Sequence, residues 1–478
     1  MNMFSVLKKI IPFKVFRFLQ PAYHFLMAGI AALINRFPSR HLIVIGVTGT
    51  AGKTSTVYLI ASMLREAGYK TGFTSTAVIS DGEREWLNDK KMTMPGRFYI
   101  QNILRRMVKN GCAYAVVEST SEGIKQFRHR FINYDVLVFT GLYPEHIESH
   151  GNFENYRAAK GRLFSHLQRL SPKYINTSGQ VVIPKSELQK LDLKRVEKTT
   201  ILNGDDENWE YFFNFWSEAR MVFSFTAGER LEMIKKSVSG SVVTGGFKLI
   251  PCQVTRTDSS GISVFINEEE FFLHLLGRHN AANAAAAYCV GLSQGLEATS
   301  VKTGLERVRE LPGKLEKIDK GQDFTVIVDY SFEPRALEKL YQTIESVSHN
   351  RIIHVLGSTG GGRDRSRRPV LGEIAAKQAD IVIVTDEDPY DEDPAEIINQ
   401  VATGAERAGK RVNESLFKII DRREAIKTAF NLAESGDLVL ITGKGAEQYI
   451  CVAGGRQIPW DDREVARAVL VEKSQVDK

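Results

Sequence analysis

Apolar runs and amphipathic stretches alternate along most of this chain, and their periods predict strands followed by helices. In the first half, the apolar runs have strand length, and the stretches between them repeat apolar residues at helical spacing. The strand-like runs lie at 42–46, 113–117 and 136–139, and the helical ones at 57–64 and 153–170. This order is typical of an α/β fold with a parallel sheet.

Residues 172–275 show a different pattern, with short β-type runs and turn signals such as Asn203-Gly204. We predict that they form a β-rich annex to the first sheet, followed by a helix at 277–291. A Leu-Pro-Gly sequence at 311–313 then precedes a second α/β series. The strand-like runs of that series lie at 325–328, 352–356, 381–384 and 438–441.

The pattern therefore predicts an arm at 1–42, a central parallel-sheet domain with its annex at 43–311, and a C-terminal Rossmann-like α/β domain at 312–478. A chain of 478 residues, 43% apolar and 25% charged, is long enough for this arrangement and has an ordinary globular composition. Its four cysteines are far apart in the sequence, which fits a reducing cytoplasm better than a disulfide framework.

The net charge of +6 comes from the arm. Residues 1–40 contain six basic residues and no acidic one, whereas basic and acidic residues balance in the rest of the chain. The arm is also rich in Phe and Ile, but its apolar run at 22–34 is shorter than the roughly 20 residues that span a bilayer. We consider two roles for the arm: helices that pack on the body of the protein or on a partner, and a basic, aromatic surface that lies on anionic lipid.

An apolar strand, a Gly-rich turn and an amphipathic helix meet at residues 44–56. Closely spaced glycines let backbone N–H groups turn toward an anion, and the following helix offers its positive end. Lys53 would reach the terminal phosphates, and the Thr54 hydroxyl would ligate Mg²⁺. The segment is therefore predicted to bind ATP or GTP. The residues assigned to the nucleotide are Gly49, Thr50, Gly52, Lys53, Thr54 and Ser55.

Two further polar residues follow predicted strands. Glu118 comes directly after the strand at 113–117, and His146 comes shortly after the strand at 136–139. The carboxyl ends of parallel strands meet at one edge of a sheet. The pair could therefore hold a magnesium ion that bridges the ATP phosphates and a substrate carboxylate. Lys160, by contrast, is on its own typical of a solvated helix face.

These motifs and several later ones resemble those of the Mur ligase family, from about residue 43 to the last helix. The agreement is best with the MurE branch, whose members add the third amino acid to a muramoyl dipeptide. The matching segments are GVTGTAGKT at 46–54, VVESTSEG at 116–123, TGLYPEHIESHG at 140–151, YRAAK at 156–160, GRHNAAN at 277–283, PGKLE at 312–316, VDY at 328–330, GGRDRSRRP at 361–369, DRREAI at 421–426 and DDRE at 461–464.

The resemblance implies an ATP-dependent amide-bond ligase of peptidoglycan synthesis that acts through an acyl phosphate. Its substrates would be a muramoyl-peptide and a free amino acid, in the cytoplasm or at the inner membrane face, with no nucleic-acid partner. The resemblance assigns catalysis to Lys53, Glu118, His146 and Lys160. It places Mg²⁺ at Thr54, Glu118, His146 and Lys160, and it implies that Lys160 is carbamylated.

The resemblance also indicates which residues contact the nucleotide and which contact the other substrates. Asn280 and Asn283 lie one turn apart on a predicted helix and offer both donors and acceptors, as adenine recognition requires. Asp329 would bind the ribose. The incoming amino acid is expected beside an arginine cluster, because guanidinium groups suit a ligand carboxylate. The residues assigned to the substrates are Thr93, Ser119, Arg363, Glu387, Asp388, Gly443 and Glu447, with Arg365, Arg368 and Lys444 beside them.

The chain departs from the family pattern near the nucleotide. Ala51 and Phe332 each remove a polar side chain, and Glu122 and Ala446 stand where histidines are customary. These changes raise the alternative of a catalytically weakened nucleotide-binding scaffold. A second alternative is another ligase of the same fold, of the folylpolyglutamate type or one that modifies a lipid-linked acceptor.

The segment TDEDPY at 385–390 stands in place of the Asp-Asn-Pro-Arg signature of diaminopimelate-adding enzymes. Without that Arg, a distal carboxylate on the incoming amino acid loses its bidentate partner. Glu387 and Asp388 are instead expected to favour a distal ammonium, as on lysine or ornithine.

MurE-type enzymes carry an N-terminal α/β domain that binds UDP, and the residues before the phosphate-loop strand are too few for such a domain. We therefore expect UDP recognition to be reduced, supplied by a partner, or replaced by recognition of another carrier through the arm.

Overall fold

The computed structural model describes residues 13–90, 92–145, 150–226 and 246–476, together with residues 232, 234 and 236. Fourteen of its strands precede residue 275. They are β1 Ile43–Thr48, β2 Thr71–Thr74, β3 Val78–Ser80, β4 Glu85–Leu87, β5 Tyr114–Glu118, β6 Val136–Phe139, β7 Lys173–Ile175, β8 Val181–Val182, β9 Lys194–Val196, β10 Thr199–Asn203, β11 Ala219–Ser224, β12 Gly246–Asp258, β13 Gly261–Ile266 and β14 Glu269–Leu273.

Eleven of these strands form one sheet, here called the large sheet, in the order β14-β13-β12-β11-β10-β6-β1-β5-β2-β3-β4. The seven strands from β12 to β2 pair in parallel, and the strands beyond them at both edges are antiparallel. The β-rich segment predicted as an annex thus continues the large sheet through β10, β11 and β12. Strands β7, β8 and β9 form a separate three-stranded antiparallel sheet.

The helices cover both faces of the large sheet. Those before residue 310 are α1 Phe13–Ile34, α2 Lys53–Glu66, α3 Arg97–Lys109, α4 Ser121–Lys125, α5 Phe153–Leu167, α6 Glu187–Leu191, α7 Trp209–Phe213, α8 His279–Gln294 and α9 Ala298–Glu306. Alternate residues of β1 face opposite sides, so Ile43 and Ile45 pack with α2 and α8 while Val44 packs with α3 and α5. Because both faces are covered, every residue of β1 is buried.

The remaining strands form a second, six-stranded sheet, here called the small sheet, and one hairpin. They are β15 Glu316–Ile318, β16 Thr325–Asp329, β17 Ile352–Leu356, β18 Ile381–Val384, β19 Leu416–Lys418, β20 Leu438–Thr442, β21 Tyr449–Val452 and β22 Arg456–Pro459. The small sheet has the order β15-β16-β20-β17-β18-β19, parallel except for β15. Its four central strands match the four predicted from the sequence.

Helices also cover both faces of the small sheet. They are α10 Pro334–Ile344, α11 Arg367–Gln378, α12 Pro394–Arg407, α13 Arg422–Leu432 and α14 Asp462–Val476. Helices α10, α11 and α12 share one core with the sheet, and α13 and α14 share the other. The α/β fold with a β-rich addition and a second α/β unit is therefore confirmed.

Helix α1 of the predicted arm packs along α3. Arg97 Nη2 lies 2.7 Å from His24 Nδ1, and Arg105 Nη1 donates to the Ile34 carbonyl at 3.2 Å. Among the described helices, none combines the length and apolar character needed to cross a membrane. Residues 1–12, which carry two of the arm's basic side chains, lie outside the described residues.

A buried charge cluster ties the amino end of β6 to neighbouring elements. The Asp135 carboxylate accepts from Lys173 Nζ at 2.5 Å, from Lys198 Nζ at 2.8 Å and from the backbone N–H of Val44 at 2.8 Å. All three charged side chains are buried. Burial lowers the pKa of Lys173 to about 8, while the Asp135 charge opposes that shift. The single carboxylate thus compensates two desolvated ammonium groups.

We expect Asp135→Asn to lower the free energy of unfolding by about 3–5 kcal/mol, because it leaves two buried ammonium groups without a counter-charge. Denaturant unfolding followed by circular dichroism measures the change. Glu187→Gln is the matched control, since Glu187 forms an exposed pair with Lys190 and its loss should leave the midpoint unchanged. Equal midpoints for the two variants would contradict the role given to Asp135.

Candidate active site

The phosphate-binding loop begins where β1 ends. Gly49 (φ 157°) and Gly52 (φ 80°) adopt positive φ, and a Cβ on Gly49 would lie 2.0 Å from the Thr140 hydroxyl oxygen, so only glycine fits there. Lys53 is the first residue of α2, and its Nζ donates to the Thr50 carbonyl at 2.7 Å. The ammonium group and the free N–H groups of α2 therefore lie at the same end of the loop, as anion binding requires.

Glu118 joins the loop to the neighbouring edge of the sheet. Its Oε2 accepts from Thr54 Oγ1 at 3.0 Å and from the Thr76 N–H at 2.8 Å. Thr76 Oγ1 lies 3.1 Å from Glu118 Oε1 and 2.9 Å from Thr93 Oγ1. The oxygens of Thr54 and Glu118 suit Mg²⁺, which prefers oxygen ligands and keeps several waters and phosphate oxygens. Ser55, beside Thr54, is buried in the first turn of α2.

Lys160 is buried on α5 and points at the phosphate-binding loop. Its Nζ donates to the Gly49 carbonyl at 2.7 Å and lies 4.7 Å from the centre of the Tyr156 ring. Burial, together with the positive charge of Lys53, lowers the pKa of Lys160 well below its ordinary value. Burial thus favours the neutral amine over the ammonium form of Lys160. His146, predicted to share the metal site, lies outside the described residues.

The two asparagines predicted to bind adenine are engaged inside the protein. Asn283 Nδ2 donates to Asn280 Oδ1 at 2.8 Å, and Asn280 Nδ2 donates to the Leu276 carbonyl at 2.8 Å. A Cβ on Gly52 would lie 2.3 Å from Asn283 Oδ1, so α8 supports the phosphate-binding loop directly. These contacts are structural, and adenine recognition by the pair stays a prediction.

Asp329, assigned to the ribose, ends β16 and is also engaged. Its Oδ2 accepts from the Leu315 N–H at 2.9 Å, and its Oδ1 accepts from the Ser331 N–H at 2.7 Å. The carboxylate therefore fixes the segment that enters the small sheet. Its ribose contact stays a prediction.

The loop after β20 carries the residues assigned to the incoming amino group. Lys444 Nζ donates to Glu447 Oε2 at 2.5 Å and to Asp388 Oδ2 at 3.0 Å. Tyr330 donates its hydroxyl to Glu447 Oε1 at 2.9 Å. Burial, reinforced by Glu447, raises the pKa of Tyr330 well above its ordinary value, so Tyr330 stays a donor. Since the Asp388 Oδ1 accepts from the Cys451 N–H at 2.6 Å, both oxygens of Asp388 already have partners.

Glu387 differs from Asp388. Its Oε1 accepts from Thr359 Oγ1 at 2.7 Å, whereas its Oε2 is buried and has no hydrogen-bond partner among the described residues. A Cβ on Gly443 would lie 2.6 Å from that oxygen, so the absence of a side chain at Gly443 leaves room for it. Burial raises the pKa of Glu387 above its ordinary value. Of the two predicted acids, Glu387 is the one with bonding capacity left.

The arginine cluster separates into two kinds of residue. Arg365 and Arg368 both pair with Glu392 at 3.0 Å, and Arg368 also donates to Gln400 Oε1 at 2.8 Å. Arg363 is exposed and forms no ion pair within the described part of the chain. Arg363 is thus the member that remains available to a ligand.

Several motif residues that carry the family resemblance hold the fold together. Arg463 pairs with Asp461 at 2.6 Å and with Glu316 at 3.3 Å, which joins α14 to β15. Arg422 pairs with Asp462 at 2.7 Å and donates to the Asp386 carbonyl at 3.1 Å. The second network supports the loop that presents Glu387.

A cleft separates the large-sheet and small-sheet residues of the site. Thr76, Thr93, Tyr330 and Glu447 line it from opposite sides. Thr93 thus lines the cleft, and its substrate role stays a prediction. Ser119 is fully buried with its hydroxyl 3.5 Å from that of Tyr134, and no contact in the described residues supports its predicted role.

Sequence reasoning missed Thr76, Tyr156 and Tyr330. Tyr156 places its hydroxyl 3.1 Å from Thr50 Oγ1, and Thr76 and Tyr330 hold the site carboxylates. The segments YRAAK and VDY contained two of them, but only as unassigned members of a motif. No pattern marked Thr76, because its role depends on β2 lying beside β5.

A phosphate-binding loop at the edge of one parallel sheet, facing a second α/β unit across a cleft, is the arrangement of an ATP-dependent ligase. Two family models match this chain: the Mur ligase middle domain at residues 47–193, and the Mur ligase glutamate ligase domain at residues 313–445. The chain belongs to the Mur ligase family. Both the family and the ligase class predicted from the sequence are confirmed.

Sequence relatives agree with this family membership, and solved structures share the fold. The chain is 36% identical over 452 residues to a UDP-N-acetylmuramyl-tripeptide synthetase of Roseiflexus sp. (strain RS-1), covering 93% of this chain and 82% of the relative. It is 33% identical to a UDP-N-acetylmuramoyl-L-alanyl-D-glutamate–2,6-diaminopimelate ligase of Geobacillus kaustophilus, covering 94% and 82%. The fold resembles that of E. coli FolC in complex with ADP, with a TM-score of 0.59, 16% identity and 94% of each chain covered.

We expect Lys53→Ala and Glu118→Ala each to reduce ligation at least about 10²–10³-fold, because both residues act on charge at the phosphates. The measurement is ADP release with both substrates present, alongside circular dichroism to check the fold. Lys70→Ala, at an exposed lysine, is the control and should keep full turnover. Near-normal turnover in either site variant would remove that residue from the active site.

Proposed function

We propose that this chain is a MurE-type enzyme that uses ATP to add an amino acid, of diamino type, to the peptide of a muramoyl-peptide precursor. The observation that carries the proposal is the continuous set of contacts from Thr54 through Glu118 and Thr76 to Thr93. It joins the phosphate-binding loop to the cleft between the sheets. A substrate carboxylate in that cleft would meet the terminal phosphate of a nucleotide in the loop.

The proposed reaction has two steps. The carboxylate of the muramoyl-peptide attacks the γ-phosphate of ATP, and ADP leaves as an acyl phosphate forms. The amine of the incoming amino acid then attacks the acyl carbon, loses a proton, and expels phosphate as the amide bond forms. Mg²⁺ at Thr54 and Glu118 would supply charge neutralisation at the phosphates. Lys53 neutralises charge at the same place.

Glu447 and the Gly443 carbonyl are proposed to hold the amine for attack, and Arg363 to bind the carboxylate of the same amino acid. Glu447 is already oriented by Tyr330 and Lys444, so a ligand would meet a fixed carboxylate. Holding two reactants in place is a large part of catalysis in such a reaction.

Carbamylation of Lys160 is part of the proposal. Carbon dioxide adds to a neutral amine with release of a proton, and the lowered pKa of Lys160 favours that neutral form. The carbamate would replace the buried amine with a carboxylate-like anion next to the phosphate-binding loop. There it would support a second Mg²⁺.

The choice of amino acid is proposed from the loop after β18. Tyr390 stands where diaminopimelate-adding enzymes place Arg, and its ring packs against Gly361. Asp388 pairs with Lys444, whereas Glu387 Oε2 has no hydrogen-bond partner among the described residues. Glu387 is therefore the carboxylate proposed to bind a distal ammonium. Lysine or ornithine would satisfy Glu387, whereas diaminopimelate would bring a second carboxylate without a partner.

The proposal also includes the domain boundaries and the cellular localisation. We assign 1–42 to an arm, 43–311 to the ATP-binding domain and 312–478 to the amino-acid-binding domain. The enzyme would act in the cytoplasm, at the inner face of the membrane, with peripheral contact through residues 1–40.

ADP release that requires both a UDP-muramoyl dipeptide and an amino acid would test this function. ADP release that does not depend on either substrate, or the absence of ADP release with every amino acid tried, would favour the nucleotide-binding scaffold suggested by Ala51, Phe332 and Ala446. Release with a folate acceptor but not with a muropeptide would favour the folylpolyglutamate-type alternative.

We expect Lys160→Ala to lose ligation and to recover part of it when a short carboxylate such as acetate is added, because the missing group is a carbamate. Lys160→Arg is the control, since it keeps a cation that cannot be carbamylated and should not be rescued. Absence of rescue in Lys160→Ala, together with the absence of a carbamate signal in ¹³C NMR of the intact enzyme equilibrated with ¹³C-bicarbonate, would remove the carbamate from the site.

We expect lysine or ornithine to be preferred over diaminopimelate at least tenfold, because each lost charge-assisted hydrogen bond costs about 1.5–3 kcal/mol. Glu387→Gln should lose most of this preference. Glu373→Gln, at an exposed acid that pairs with Lys377, should keep it. Competition assays with all three amino acids provide the measurement. Preferential use of diaminopimelate by the unmodified enzyme would refute the assignment.

A further inference from the structure

Helix α1 packs on the protein through small residues. Ala28, Ala31 and Ala32 are buried on its inner side, and a Cβ on Gly29 would lie only 3.3 Å from the Phe131 ring. Phe25 continues this contact, with its ring centre 5.2 Å from that of Phe131. The inner side is thus closely packed, which fixes the direction in which the opposite side of the helix faces.

The outer side of α1 consists of large aliphatic residues. Leu26 is 63% exposed, Leu33 65% and Ile34 59%, and Leu19 and Ile30 are also exposed. Their spacing places them along one side of the helix. The sequence has no Asp, Glu, Lys or Arg from residue 18 to residue 35, so no charge interrupts this side. We call these five residues the outer face of α1. A contiguous apolar face of this kind marks an interaction surface.

The surface beside the outer face is basic. The Phe25 ring lies 6.1 Å from that of Phe127, and the Arg130 guanidinium lies 6.0 Å from the Phe127 ring centre. Burial lowers the pKa of Arg130, and the nearby positive charges of Arg169 and Arg162 lower it further. No acidic group acts on Arg130 in the opposite direction.

None of Arg130, Arg162 and Arg169 forms a salt bridge with an acid in the described part of the chain. Arg36 and Arg40 add two exposed positive charges just after α1. An apolar face bordered by unneutralised cations is complementary to a bilayer with anionic headgroups, which pairs apolar chains with negative charge.

We propose that the outer face of α1, together with Arg130, Arg162 and Arg169, docks on an anionic phospholipid bilayer. The aliphatic side chains enter the boundary between headgroups and acyl chains, and the arginines contact lipid phosphates. This specifies the membrane contact proposed above. It rests on that part of the proposed function but is independent of the amino acid and acceptor used in ligation, so its failure would leave the proposed ligase activity standing.

Vesicle flotation of the full chain tests the docking surface. We expect binding to phosphatidylcholine vesicles that contain phosphatidylglycerol, and at least tenfold weaker binding to phosphatidylcholine alone. Leu26→Ser/Leu33→Ser/Ile34→Ser, here called the outer-face variant, should reduce binding to the anionic vesicles at least tenfold. Leu188→Ser/Leu191→Ser is the matched control, because these leucines, 76% and 80% exposed on the separate helix α6, are more accessible still, and its binding should stay within twofold. ADP release in solution should be unchanged in both.

The arginines are tested in the same assay. Arg130→Gln/Arg162→Gln/Arg169→Gln should weaken binding at low salt and flatten its salt dependence, whereas Arg411→Gln, at an exposed arginine elsewhere, should not. A label at Leu33→Cys should report an apolar environment on vesicle addition, and one at Leu188→Cys should not. The four native cysteines are buried, so they should not compete for the label.

Three results would overturn the proposal. One is the absence of binding to anionic vesicles by the unmodified chain. Another is binding that persists in the outer-face variant but disappears on deletion of residues 1–12, which would assign it to that segment. The third is a dimer by light scattering that becomes monomeric in the outer-face variant, which would assign the face to a second copy of the chain.

Discussion

Parallel pairing of β1 between β5 and β6 is the constraint on which the site depends. The register sets Val47 opposite Glu118, so the phosphate-binding loop and the Glu118 carboxylate leave the sheet at the same edge. A different register would move Glu118 away from Thr54 even if every residue were kept. Because both faces of these strands are packed against helices, a one-residue slip would exchange side chains between the two cores and disrupt both, which makes the register costly to change.

Glu118 connects the phosphate-binding loop to the neighbouring strand through hydrogen bonds. It has partners on α2 and at the end of β2, so one buried carboxylate connects two elements that are distant in sequence. The small sheet uses the same device, with Glu447 held by Tyr330 and Lys444. In both cases protein partners fix the carboxylate in place. In the proposed roles, a cation or an amine would therefore meet an anion that is already oriented, which reduces the reorganisation that the reaction requires.

The sequence predicted those parts that local pattern determines. The strands at Val136–Phe139 and Ile352–Leu356 agree with their predicted bounds, because buried parallel strands are continuous apolar runs. The phosphate-binding loop was recognisable because glycine and lysine must occur together there. The sequence pattern could not show that Arg368 forms a salt bridge with Glu392, that Asp388 forms one with Lys444, or that Thr76 hydrogen-bonds to Glu118. Each of these depends on long-range neighbours, and the residue types alone suit a ligand equally well.

The direction of α1 has a consequence for how a substrate would arrive. Helix α1 runs alongside α3, which leads through a short turn into β5 and therefore runs back along that strand. If α1 lies flat in a bilayer surface, the strands of the large sheet lie along the same plane and the cleft opens sideways. A lipid-borne acceptor would then reach the enzyme by lateral diffusion. Its surface density, rather than its concentration in bulk solution, would set the rate of encounter.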